Sequence, residues 1–114
     1  MTDRVFKRVP VNIEAEIISY KTSYPAYISN ISEYGIHAKI ATMEPVRFSE
    51  SETNVNLIFR LPSGETINLF CRNKWAYKNT SNSFIENIGI EIIDPPDEYR
   101  NFFRAMRMIS PAGY

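Results

Sequence analysis

Four apolar residues at strict period two, Val55, Leu57, Phe59 and Leu61, run into Pro62-Ser63-Gly64-Glu65, after which Ile67, Leu69 and Cys71 resume the alternation. A period of two places every second side chain on one face, which is the pattern of a half-buried strand. Pro and Gly between the two runs set the backbone angles that a tight reversal needs. This stretch is therefore read as a β-hairpin, and its second strand extends to Trp75 and Tyr77.

The same period recurs elsewhere. Val11, Ile13, Ala15 and Ile17 alternate with Asn12, Glu14, Glu16 and Ile18, a second extended stretch runs from Pro25 to Ile31, and Ile36 to Ile40 alternates again. A last strand comes after the Asn/Ser-rich segment 79–83 and ends in Ile88-Gly89-Ile90-Glu91-Ile92-Ile93. Thr42 to Thr53 has no period and reads as a surface connection. Near the C-terminus the period changes: Tyr99, Phe102, Phe103 and Met106 fall at i, i+3, i+4 and i+7, one face of an amphipathic helix. Asp94 is the expected N-cap, with Pro95 and Pro96 in the first turn and Asp97 and Glu98 at the positive end of the dipole.

These signals predict about six short antiparallel strands and one C-terminal α-helix, a mainly-β class that favours a closed or nearly closed barrel. A chain of 114 residues supports one hydrophobic core. The expected division is an N-terminal arm over 1–10, a barrel over about 11–93 and a helix over about 95–108.

Charge narrows the function classes. Lys plus Arg is 13 and Asp plus Glu is 13, so the zero balance argues against DNA or RNA as a partner, which would call for a basic excess. No apolar run approaches the ~18 residues of a membrane span, so membrane insertion is not expected. The single cysteine and the absence of an apolar leader in the first eight residues suggest a cytoplasmic domain.

Catalytic chemistry finds little support. His37 is the one histidine and has no second His or Cys at ligand spacing, so it reads as a surface or rim residue. Cys71 shares parity with Ile67 and Leu69 and reads as a small buried hydrophobe. Glu14 and Glu16 share a solvated face, and Gly35, Gly64, Gly89 and Gly113 are too scattered for a phosphate loop. No catalytic residue, metal site or cofactor is assigned.

Two short patterns remain. Arg4-Val5-Phe6-Lys7-Arg8 is an R-x-x-x-R before the first strand, and Asn30-Ile31-Ser32-Glu33-Tyr34-Gly35 is an N-x-S-x-x-G between the second and third. The first is weak alone, since chance supplies about half an occurrence, and Arg100-Asn101-Phe102-Phe103-Arg104 matches it too. The second is expected roughly 0.04 times by chance and carries the information.

Together, in this order, the two patterns resemble the signature of the PilZ domain family. Leu61-Pro62 before the hairpin turn, Trp75 and the closing Ile88-Gly89-Ile90-Glu91-Ile92 extend the resemblance over nearly the whole chain. It implies a six-stranded β-barrel with a C-terminal helix, and a receptor for the bacterial second messenger cyclic di-GMP that relays the signal to a partner protein. The implied ligand-binding residues are Arg4, Arg8, Asn30, Ser32 and Gly35, with Lys7 and Trp75 secondary; a place late in a barrel strand favours the core for Trp75 over stacking on a base.

The residue chemistry agrees. Arginine offers a planar fork to phosphate or to guanine O6 and N7, and it stacks on bases. Asn30 and Ser32 carry polar groups suited to a guanine edge, or to closing an ordinary turn, and Gly35 permits a sharp bend beneath. The signature often has aspartate at the position of Asn30, which implies a weaker grip on guanine here. Asp3, just ahead of Arg4, disfavours additional phosphates and hence a stacked ligand dimer. The competing reading is a PilZ-like interaction module in pilus or motility assembly that does not bind nucleotide. A single-stranded nucleic-acid barrel would need a basic groove, against the zero net charge.

Overall fold

The structure, a computed structural model, describes residues 8–41, 54–79 and 82–109. Its elements are β1 (Val9–Ser19), β2 (Thr22–Ile31), β3 (Gly35–Ala41), β4 (Asn54–Arg60), β5 (Thr66–Asn79), β6 (Asn82–Ile92) and α1 (Asp97–Ile109). The six strands close in the order β1-β2-β3-β6-β5-β4, every neighbouring pair antiparallel, with β4 returning to β1. This is the six-stranded barrel with a C-terminal helix that the alternation predicts. The first strand begins at Val9, two residues earlier than its periodicity suggests. Arg4, Lys7, Asp3 and the 42–53 connection lie outside the described residues.

The core is built from the inward residues of all six strands, Ile17, Ile28, Ala38, Leu57, Leu69 and Ile88 each being fully buried. Cys71 shares that interior, as its parity predicts. The β4–β5 hairpin reverses where Pro62 and Gly64 stand: Gly64 N–H donates to the Leu61 carbonyl at 2.9 Å, and Gly64 holds φ 95°, a left-handed conformation that glycine adopts without a Cβ penalty.

Among the residues whose burial is described, the inward–outward alternation breaks in β2 and in β5. In β2 the buried residues are Ala26 and Ile28, then Ile31, so parity flips across Ser29, where the pairing to β3 also slips. In β5 Ile67, Leu69, Cys71 and Asn73 face inward, but Lys74 has no partner in β6 and the ladder resumes with Trp75 opposite Gly89. A β-bulge of this kind re-aims every side chain beyond it. Trp75 is therefore 43% exposed rather than in the core, contrary to the expectation from its place in the strand.

Helix α1 lays Tyr99 and Phe103 fully against the barrel, with Phe102 and Met106 partly buried beside them, which is the predicted apolar face. Phe102 meets Phe59 of β4 with ring centroids 5.7 Å apart. The helix starts later than the N-cap reading of Asp94 placed it. The Pro96 carbonyl accepts from Tyr99 N–H and Arg100 N–H, both at 3.0 Å, and the first helical residue is Asp97. Two consecutive prolines explain this, because a residue before proline is pushed out of the helical region, so neither Asp94 nor Pro95 can begin the helix. Asp94 instead takes φ 51°, a left-handed angle that aspartate tolerates better than most residues. Among the described residues no helix is long and apolar enough to cross a membrane.

Candidate functional site

Strand pairing lines up one transverse row on the outside of the barrel. Pro10 of β1 pairs with Asn30 of β2, Asn30 with His37 of β3, His37 with Gly89 of β6, and Gly89 with Trp75 of β5. Each bulge is a condition of that row. Without the slip at Ser29, Asn30 would point into the core, and without the slip at Lys74, so would Trp75. Adjacent strands are about 4.8 Å apart, so Asn30 and Trp75 stand about 14 Å from one another along the row.

Beside the row is an open cleft of about 390 Å³, lined by Arg8, Ser32, Tyr34, Gly35, Lys74, Trp75 and the β6 segment Gly89 to Glu91. Arg8 immediately precedes β1, and its Nη1 donates to Asn30 Oδ1 at 2.7 Å, joining two residues 22 apart in sequence. The first arginine of the motif, Arg4, and Lys7 are outside the described residues.

The β2–β3 connection is closed on itself. Ser32 Oγ accepts from Gly35 N–H at 3.0 Å and donates to the Gly35 carbonyl at 3.2 Å, while Ser32 N–H donates to that same carbonyl at 2.8 Å. Ser32 is buried, and its hydroxyl proton serves the turn rather than the cleft. One hydroxyl lone pair remains for a ligand. From below, Tyr99 Oη donates to the Ser32 carbonyl at 2.5 Å, so the helix pins the loop. Burial pushes the Tyr99 phenol upward, with Cys71 and Glu33 adding and Arg8 opposing, which keeps that hydroxyl a donor.

Gly35 does not make the sharp bend expected of it. Gly64 is the described glycine with positive φ, and a Cβ on Gly35 would meet Ser32 Oγ at 3.4 Å and the Ile90 carbonyl at 3.5 Å, ordinary contacts. Its bare Cα instead keeps the cleft floor clear beneath Arg8, whose Nη2 would stand 3.8 Å from such a Cβ. Gly89 is different, for a Cβ there would overlap the Trp75 indole itself. That glycine lets the indole lie over β6.

Residues beyond the sequence assignments also belong to this surface. Lys74, the extra residue of the β5 bulge, lines the cleft, with Nζ 3.7 Å from Glu91 Oε1; Arg72 Nη1 is 3.9 Å from the same oxygen. Its only sequence signal was its place next to Trp75. Charged lining residues are thus Arg8 and Lys74 against Glu91, a net positive rim suited to an anion.

His37, read from sequence as a rim residue, is half-buried in the row. Its Nδ1 is 3.3 Å from Asn30 Nδ2, its Nε2 is 3.4 Å from Asn87 Oδ1, and its ring centroid is 5.4 Å from that of Trp75, tilted at 53°. Among the described residues no three His, Cys, Asp or Glu side chains are grouped to hold a metal ion.

The family model for the PilZ domain matches residues 2–107. No curated protein matches the chain by sequence. Among solved structures, the barrel is similar to the inhibitor of motility MotI/DgrA of Bacillus subtilis, at a TM-score of 0.73 and 16% identity, over 95% of this chain and 51% of that one. The chain thus spans about half the length of that protein. It is also similar to the PilZ domain of CeSA from a cellulose-synthesizing bacterium, at a TM-score of 0.57 and 20% identity, over 95% of this chain and 99% of that one.

Proposed function

The chain belongs to the PilZ domain family, and on that footing we propose that the cleft beside Arg8 binds cyclic di-GMP and that a partner protein reads the bound state. The observation that carries this reading is the meeting of Arg8, Ser32 and Gly35 with an exposed tryptophan at a single cleft, with Asn30, the other signature residue the structure describes, bonded to Arg8 beside it. The ligand has two phosphates and two guanines. Arg8 offers a charged fork to a phosphate or a guanine edge, Trp75 offers a stacking face, and Asn30 Oδ1 is an acceptor for guanine N–H groups. Arg4 and Lys7, from the same motif, are proposed to add cations to the rim.

The domain acts as a cytoplasmic receptor rather than an enzyme. Its output is the altered surface around Tyr34, Trp75 and Arg8 once a dianion covers them, since a ligand shifts a protein only through differential contacts with its states.

Calorimetric titration of the chain with cyclic di-GMP tests this, with GTP and a single-stranded oligonucleotide as controls. Saturable binding of cyclic di-GMP alone is the expected result. Heat from the oligonucleotide but not from cyclic di-GMP would move the chain to nucleic acid, and heat from none of the three would leave it an interaction module.

A further inference from the structure

The hydrogen bonds around Asn30 form a chain whose direction is fixed from one end. Arg8 carries only donors. Its Nη1 is 2.7 Å from the Asn30 amide, so the oxygen must face Arg8, because turning the amide over would set donor against donor. The amide nitrogen then faces His37 Nδ1 at 3.3 Å, which must accept, so the imidazole proton sits on Nε2 and points to Asn87 Oδ1 at 3.4 Å. Arg8, Asn30, His37 and Asn87 thus form one donor-to-acceptor relay across four segments of the barrel, and every member is polarised the same way.

Arg8 spends one of its five N–H donors on Asn30, so a phosphate can engage the guanidinium either beside that bond or in place of it. A charge-assisted bond to an ionised oxygen is the stronger of the two. When ligand draws Arg8 off, the remaining bond to the Asn30 amide among the described residues is the one to His37. We infer that His37 is the specificity-determining residue of this site: as the Nε2–H tautomer held by Asn87, it keeps Asn30 Oδ1 turned toward the cleft as an acceptor for guanine. The inference rests on the proposed binding of cyclic di-GMP and adds to it the means by which an asparagine, with one acceptor end, reads a guanine edge. An aspartate has two equivalent oxygens and needs no such device.

The surroundings suit a neutral imidazole. Burial, then the positive charges of Arg8 and Lys39, hold the His37 pKa below its ordinary 6.5, while the bond to Asn87 works the other way. Facing it are Arg8 ahead of β1, Asn30 from β2, Lys39 from its own strand, Asn87 from β6 and the Trp75 ring from β5. When His37 takes a second proton, Nδ1 becomes a donor, opposes the Asn30 nitrogen and favours the reversed amide.

The test has two arms. Nitrogen-15 NMR of the ligand-free chain at neutral pH should show His37 as the neutral Nε2–H tautomer; the Nδ1–H tautomer or an imidazolium would overturn the inference without reference to any ligand. Calorimetry then compares cyclic di-GMP with cyclic di-AMP for wild type, His37→Phe, Asn30→Asp and the double variant. His37→Phe keeps a ring beside Trp75 but has no acceptor, and it should lower the preference for guanine about tenfold, the scale of one hydrogen bond. The same change in the Asn30→Asp background should leave the preference within about twofold. Wild-type preference should also fall as pH drops below 6.5, whereas that of Asn30→Asp should not. A preference indifferent to His37→Phe in wild type overturns the inference alone. No binding of cyclic di-GMP by wild type overturns the functional reading and the specificity role with it.

Discussion

The indole of Trp75 occupies the space where a side chain on Gly89 would stand: a Cβ there would overlap its Cε2, Nε1 and Cζ2 atoms. The two residues are paired across β5 and β6, so neither can step aside along the strand. Gly89→Ala should therefore lift the indole off the sheet and out of the cleft while the barrel still folds, because Trp75 is half open to solvent. Trp75 is the one tryptophan of the chain, so its fluorescence reports the event directly. Emission should shift to the red in Gly89→Ala. Loss of a base-stacking face is on the order of 1–3 kcal/mol, so affinity for cyclic di-GMP should fall roughly ten- to a hundred-fold, in Gly89→Ala as in Trp75→Ala. Unchanged emission and affinity in Gly89→Ala would remove Trp75 from the site.

The two R-x-x-x-R matches can be separated by mutation. Arg8 lines the cleft and bonds Asn30, whereas Arg104 lies on the exposed side of α1 and donates to Asn101 at 3.4 Å. A charge-assisted bond contributes about 1.5–3 kcal/mol, so Arg8→Ala should weaken binding about ten- to a hundred-fold. Arg104→Ala should leave affinity unaltered. Equal losses in the two variants would refute the assignment of the site to this end of the barrel.

Features of the fold differ in how redundantly the amino acids encode them. Parity runs unbroken through Val55, Leu57 and Phe59 and through Ile67, Leu69 and Cys71, and all six are buried as the alternation requires. The helix face of Tyr99, Phe102, Phe103 and Met106 is equally legible, because each residue contributes to one periodic signal. A bulge has no such redundancy. One unpaired residue, Lys74, reverses the meaning of every position after it, and neither Lys74 nor Ser29 is a residue type that marks the event. The core reading of Trp75 failed there.

The site shows the same division. Asn30, Ser32 and Gly35 are close in sequence and form a rare spacing, so they can be found without a fold. His37 and Lys74 cannot. The partners of His37 lie 7 and 50 residues away on β2 and β6, and only the barrel's transverse row brings them to one imidazole. The motif marks Ser32 as a ligand residue or a turn former, and its hydroxyl proton goes to the turn while one lone pair remains for a ligand.

Gly35 gives a contrast with Gly89. A methyl at Gly35 meets its nearest neighbour at 3.4 Å, and its backbone is not left-handed, so Gly35→Ala should change unfolding free energy by no more than about 0.5 kcal/mol. The methyl would project beneath Arg8 and narrow the cleft floor, so affinity for cyclic di-GMP should still fall several-fold. Gly35→Leu, which fills more of that floor, should abolish detectable binding. Chemical denaturation alongside calorimetry checks both halves. A large stability loss in Gly35→Ala would mean that the glycine serves the loop backbone instead.

The buried groups beneath the loop predict how stability depends on alkaline pH. Burial pushes the Cys71 thiol from 9.0 up to about 12, and raises the Tyr99 phenol above its ordinary 10.0. Both groups are neutral in the folded chain and ionise earlier in the unfolded one. Above pH 9 the unfolded state therefore holds fewer protons, and stability falls as pH rises. The contribution of Cys71 is fully present below about pH 9 and is lost between there and about 12. Its steepest slope is about 1.4 kcal/mol per pH unit, and Tyr99 adds a second slope of that size above its unfolded value of 10.0. Urea denaturation from pH 8 to 11 should accordingly show a progressive loss in wild type. Cys71→Ala should flatten the limb from pH 9 to 10, and Tyr99→Phe the limb above 10. Tyr99→Phe should also be about 1–3 kcal/mol less stable at neutral pH, since it strips the Ser32 carbonyl of its buried donor. If Cys71→Ala loses stability over pH 9 to 10 as steeply as wild type, the thiol is not the group that titrates.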